Sequence, residues 1–141
     1  SVVFPSSLVE VPGVGTGAAY AAADAFGTRF SIIVPVDGTI AQVVFLDFDD
    51  EGYNKELVLF SREFTATADN SAFNPSDADL HFCVGVISID TWYNYSANQV
   101  GIAIPAFQYK APDGILYGQF VTRGIDNIAA GSVPKFFVVA I

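Results

Sequence analysis

From Gly27 onward the apolar residues recur with a period of two, the spacing of half-buried strands. Arg29–Val34 is rich in β-branched and aromatic residues and stops at Pro35, with Val36-Asp37-Gly38 as a turn. Thr39–Phe48 follows as a long strand. Ile40, Gln42, Val44, Leu46 and Phe48 fall on one face, and Val43, Phe45 and Asp47 on the other. Asp49-Asp50-Glu51-Gly52 is a turn, and in Glu56–Phe64 the residues Leu57, Leu59 and Ser61 alternate with Val58, Phe60 and Arg62. Thr67–Asp79 is polar and carries Asn74-Pro75 and Ser76-Asp77, which marks a long loop. Further strands are expected over Cys83–Asp90, Asn98–Tyr109, Ile115–Arg123 and Lys135–Ile141, with a Pro112-Asp113-Gly114 turn and a loop over Asp126–Ser132. No sustained helical period follows Gly27, which excludes βαβ folds.

The pattern predicts an all-β chain, a jelly-roll-like antiparallel β-sandwich of about eight strands. An up-and-down barrel has the same periodicity. Residues 1–23 differ from the remainder, the sandwich domain at 24–141. Pro5, Pro12, Gly13, Gly15 and Gly17 break regular structure, and Val2–Phe4 and Leu8–Pro12 read as extended pieces. The segment is expected to be an extended N-terminal arm on a surface, its own or a neighbour's. The alanine run suggests a short helix over Ala18–Phe26.

Composition adds to this. Of the 141 residues 52% are hydrophobic and only 15% charged, which excludes a disordered chain. The balance of 6 Lys+Arg against 15 Asp+Glu gives a net charge of −9, the wrong sign for a nucleic-acid backbone or an anionic membrane surface. The longest uncharged stretch, Thr91–Tyr109, contains Asn94, Asn98, Gln99 and Pro105 and is too polar to span a membrane. So few charges on so apolar a chain imply surface covered by sister subunits or a larger assembly.

Chemistry is sparse. Asp47, Asp49 and Glu51, with Gly52 as the sixth residue, match the first half of a calcium loop, but position twelve is Val58 where a bidentate Glu belongs. No metal is expected: a solvated acidic turn is the preferred reading, and these three are only weak candidates for a site of another kind that would recruit Asp37 or Asp79. His81 and Cys83 lie on one strand face, too few for zinc and too far apart for a nucleophile pair. Gly13-Val14-Gly15-Thr16-Gly17-Ala18 lacks the strand and βαβ unit of a dinucleotide site. No nucleophile elbow or carboxylate pair is singled out, so no enzyme and no cofactor are expected. Trp92, Tyr93 and Tyr95, set among Asp90, Asn94, Asn98 and Gln99, suit a sugar ring or a protein interface. Trp92 also suits closure of the core.

The runs Phe26–Pro35, Leu46–Gly52 and Glu56–Phe60, with Tyr117–Arg123 and Asn127–Gly131, resemble small structural proteins of tailed bacteriophages. Among these the chain is most similar to the capsid decoration, or cement, class. The resemblance implies a virion protein on the outer surface of the capsid, often a homotrimer, that binds the major capsid protein and clamps neighbouring capsomers. Val2, Val3, Phe4, Leu8 and Val11 in the arm, with Trp92, Tyr93 and Tyr95, are the expected contact residues. A carbohydrate-binding or receptor-binding module of a tail or fibre, built on the aromatic trio, is the alternative.

Overall fold

The computed structural model describes residues 4–5 and 8–141. Its strands are β1 (Phe4–Pro5), β2 (Val9–Glu10), β3 (Ala25–Ile33), β4 (Asp37–Asp47), β5 (Lys55–Phe60) and β6 (Cys83–Ile89). They continue with β7 (Trp92–Asn94), β8 (Gln99–Ala103), β9 (Phe107–Lys110), β10 (Ile115–Thr122) and β11 (Lys135–Ala140). A single-turn helix, α1 (Asp77–Leu80), capped by Ser76, interrupts the long loop after β5.

Two antiparallel sheets result. One runs β1-β11-β4-β8-β7, with β2 also on β11 and β9 also on β4; the other runs β3-β10-β5-β6. β1 and β2 lie end to end along the outer edge of β11, from Phe4 opposite Ala140 to Glu10 opposite Lys135. β8 and β9 likewise lie end to end along β4, from Gln99 opposite Asp47 to Lys110 opposite Asp37. The single strand expected over Asn98–Tyr109 is therefore broken. Pro105 has no N–H for a ladder, and Ala106 turns to φ 47.

The sheets close on an aromatic core. Phe30 of β3 meets Phe136 of β11, and Phe45 of β4 meets Phe120 of β10 edge-on at 5.2 Å between ring centroids. Val43 and Phe45 point inward as their parity requires. Ile40 was expected on the opposite face from Val43 and Phe45, yet it is buried with them. Between Gln42, opposite Val139, and Ile40, opposite Ala140, Ala41 is an extra residue; this bulge reverses the alternation. On β5, Leu57 and Leu59 enter this core, while Val58 and Phe60 join a smaller cluster with Phe64 and Val121. Phe73, Cys83 and Tyr117 pack against that cluster. Gln119 pins the loop after β5 to the second sheet through Thr67 and the Gly27 carbonyl.

The segment expected as an arm lies, where it is described, on this chain's own sandwich. Val11 is fully buried and its N–H bonds the Pro134 carbonyl. Gly27, at φ 79, passes directly beneath it; a Cβ there would stand 2.5 Å from the Pro12 carbonyl oxygen. The helix expected over Ala18–Phe26 does not form. Tyr20 and Ala23 donate their N–H groups to Asp126 and Thr122 instead, and Ala25 already belongs to β3. A helix that short is marginal without tertiary support, and here the tertiary bonds favour an irregular segment that turns at Ala22-Ala23.

Candidate functional site

One end of the sandwich gathers the polar chemistry of the chain: the β4–β5 turn, β7, and the loop after β10. Parity along β5 places Lys55 on the same face as Leu57 and Leu59, so its side chain points into the core. It is 3% exposed there, and its Nζ lies 2.6 Å from Oδ2 of Asp126, itself 1% exposed. The ammonium also donates to the Tyr53 carbonyl at 2.8 Å and stands 4.9 Å from the Phe26 ring centroid. The rings of Phe45 and Trp92 complete the enclosure at 5.7 and 5.9 Å. Burial pushes the Lys55 ammonium below the ordinary lysine range, opposed by the negative charge of Asp126, then Asp47 and Glu51.

The other oxygen of Asp126, Oδ1, accepts a short hydrogen bond from the Thr122 hydroxyl. That hydroxyl accepts in turn from the Gly124 N–H, so its proton is directed at Asp126.

The acidic turn is spent on backbone. Asp47, almost wholly buried, accepts from the N–H groups of Asp49, Glu51 and Gly52 and from Nε2 of Gln99. Asp49 accepts from the Ala129 N–H and Glu51 from that of Asn127. The three carboxylates proposed as cation ligands thus hold the turn closed and clamp the loop that carries Asp126. No group of three or more His, Cys, Asp or Glu side chains gathers to hold a metal ion among the described residues. The carboxylates point to separate backbone partners and do not converge on a common point.

The aromatic trio divides. Trp92 turns inward, edge-on to Phe45 and above Gly101, where a Cβ would meet its ring at 2.7 Å. Its Nε1 donates to Asn54 Oδ1. It closes the core and is no open platform. Tyr93 and Tyr95 face solvent at 52% and 61% exposure. For Tyr93 strand alternation requires this, since β7 pairs with β8 and only one side of it meets the core, while Tyr95 lies in the turn beyond β7, its N–H bonded to the Asn98 carbonyl.

Of the remaining contact candidates, Leu8 is exposed and Val11 is buried in the core. Phe4 is placed as a strand position in β1, and Val2 and Val3 lie outside the described residues. His81 is the exposed C-cap of α1 and Cys83 is half-buried in the smaller cluster.

The Lys55–Asp126 pair was not singled out from the sequence. The signal was present in the parity of Lys55 with Leu57 and Leu59, which demands a partner for an inward ammonium. No family model, curated protein or solved structure matches this chain.

Proposed function

We propose that the chain is a jelly-roll decoration protein of a tailed-phage virion. It binds the outside of the capsid through the major capsid protein, bridges neighbouring capsomers, and does no chemistry on a substrate. The jelly-roll assignment rests on the strand pairing. With β1–β2 and β8–β9 each taken as one strand, and β7 as an appendage to the first sheet, the pairs nest. The first strand pairs with the last, β3 with β10, β4 with β8–β9, and β5 with β6. Nesting of this kind describes a long double ribbon rolled into two sheets.

The observation that carries the function is apolar side chains turned to water on a well-filled sandwich. Ile33 and Ile104 are 84% and 77% exposed. Ile104 shares a shallow groove of mixed character, apolar at Val86, Ile102 and Pro105 and polar at Ser88, Asp90 and Thr91. A groove of this make-up, beside a net charge of −9 that repels DNA, suits a protein surface as its partner. The apolar positions serve contacts to sister copies, arranged as a trimer in line with the resemblance, and to the shell.

Sedimentation of the purified chain with capsids stripped of their outer proteins tests this. Saturable binding is expected, weakened by Val86→Asp and Ile104→Asp in chains that keep their melting temperature. Absence of binding to such shells, or binding that ignores both substitutions, overturns it. The alternative, glycan or receptor recognition, has Tyr93 and Tyr95 as its exposed residues. A glycan array that yields binding abolished by Tyr95→Ala selects it instead.

A further inference from the structure

A buried ion pair usually costs about as much in desolvation as its attraction returns, and it persists where further hydrogen bonds hold it. The pair formed by Lys55 and Asp126 has a more specific arrangement. Nζ donates a hydrogen bond to Oδ2 at 2.6 Å. Oδ1 is held by the Thr122 hydroxyl, and Nζ is oriented by the Tyr53 carbonyl. Phe26, Phe45 and Trp92 surround the amine.

We infer that Lys55 and Asp126 join covalently, as an amide between Lys55 Nζ and Asp126 Cγ formed by the folded chain itself with loss of one water.

The step balances without a co-reactant. The ammonium passes a proton to Oδ2, which leaves a neutral amine beside a neutral carboxylic acid. The amine lone pair then attacks Cγ. Charge developing on Oδ1 meets the Thr122 hydroxyl, which is already directed at that atom. A proton moves from nitrogen to the Oδ2 hydroxyl, the Cγ–Oδ2 bond breaks, and water departs. One C–N bond replaces one C–O bond, and nothing is oxidised or reduced.

Three features favour this over an ordinary salt bridge. Exclusion of water disfavours the Lys55 ammonium, so the neutral amine that reacts lies closer in energy than it would at a surface. The enclosure that excludes water also opposes hydrolysis of the product. Positioning is supplied by the fold, since Asp49 and Glu51 clamp the loop that carries Asp126 and hold the reactants together. The lowered proton affinity of Lys55 is in keeping with the amine form. The bond would tie the start of β5 to the loop before β11, across 71 residues of sequence. It does not depend on any role in a virion.

Intact mass spectrometry of the full chain, aged at neutral pH to constant mass, is the test. The expected mass is one water below the sequence mass. A digest should contain one branched peptide joining the Lys55 and Asp126 segments. Lys55→Met and Asp126→Ala should each restore the full sequence mass, and Thr122→Val should give a slowly converting mixture of the two masses. A wild-type chain at full sequence mass, with unbranched peptides for both segments, overturns the inference whether or not the variants fold. So does a water loss that maps to Asp113-Gly114, where a succinimide can form.

Discussion

Gln99 of β8 donates its Nε2–H to Asp47 of β4 at 2.7 Å, inside a turn whose backbone N–H groups converge on the same carboxylate. Asp47 therefore acts as an internal cap. Asp47→Ala strips the acceptor from four buried or part-buried donors and is expected to cost about 3 kcal/mol in denaturant unfolding. Calcium or a chelator should leave the melting temperature of the wild-type chain unchanged, since backbone donors already engage these carboxylates. A rise in melting temperature with calcium would contradict this.

Residues 1–17 are expected to contribute to the stability of the sandwich. Their removal would leave the β11 edge unpaired, withdraw Val11 from the core and uncover Gly27. Loss of the buried Val11 side chain alone corresponds to about 2 kcal/mol. The truncated chain should melt at a visibly lower temperature. An unchanged melting curve would mean that this segment is a detachable arm after all.

Tyr20 makes stability fall at alkaline pH. Its hydroxyl donates to Asp69 Oδ1 at 2.6 Å, and Asp69 also accepts from the N–H groups of Gly15 and Gly27. Burial, then the Asp69 carboxylate, push the phenol well above its ordinary value near 10. The folded state thus keeps a proton that the unfolded state releases above about pH 10. The contribution is fully present below that pH and is lost as pH rises beyond it. Tyr20→Phe should cost about 2 kcal/mol at neutral pH and give a shallower alkaline limb in stability measured against pH. Tyr109, raised by burial, acts in the same direction, and Lys55, lowered by burial, in the opposite one.

Trp92 of β7 and Tyr95 just beyond it should respond differently to truncation. Trp92→Ala removes a ring packed on Phe45 and Gly101, and about 3 kcal/mol of stability is expected to go with it. Tyr95→Ala touches an exposed ring and should change stability by less than about 0.5 kcal/mol. Equal effects in thermal melts would show that Trp92 is not a core residue.

What the sequence makes legible follows from which forces are local. β11 could be read because it buries one face with period two, and β5, which buries both faces, was legible as an apolar run between turns. Val43 and Phe45 show the inward face of β4. Ile40 could not be assigned to it, because the Ala41 bulge is set by the neighbouring β11 and not by β4 itself. β7 was missed because it is three residues long and bordered by polar ones, leaving no alternation to count. Asp126 sits in a loop, where an aspartate is expected for turn formation alone. Its partnership with Lys55 exists only once both sheets have formed. The acidic turn misled for a related reason: spacing shows where carboxylates lie along the chain but not which backbone amides will reach them.

The nested strand pairing also bears on the order of events during synthesis. Phe4 and Pro5 have Ala140 and Val139 as their partners, so the earliest strand made waits for one of the latest. Among the nested long-strand pairs, β5–β6, joined by residues 61–82, is the one the ribosome delivers closest together, and the others close outward from it. Folding by this route is dominated by distant contacts and is correspondingly slow. Until residue 140 has emerged, the nascent chain carries open strand edges of β4 and of the first segment, the kind of unpaired edge that makes a late-closing β topology prone to aggregate.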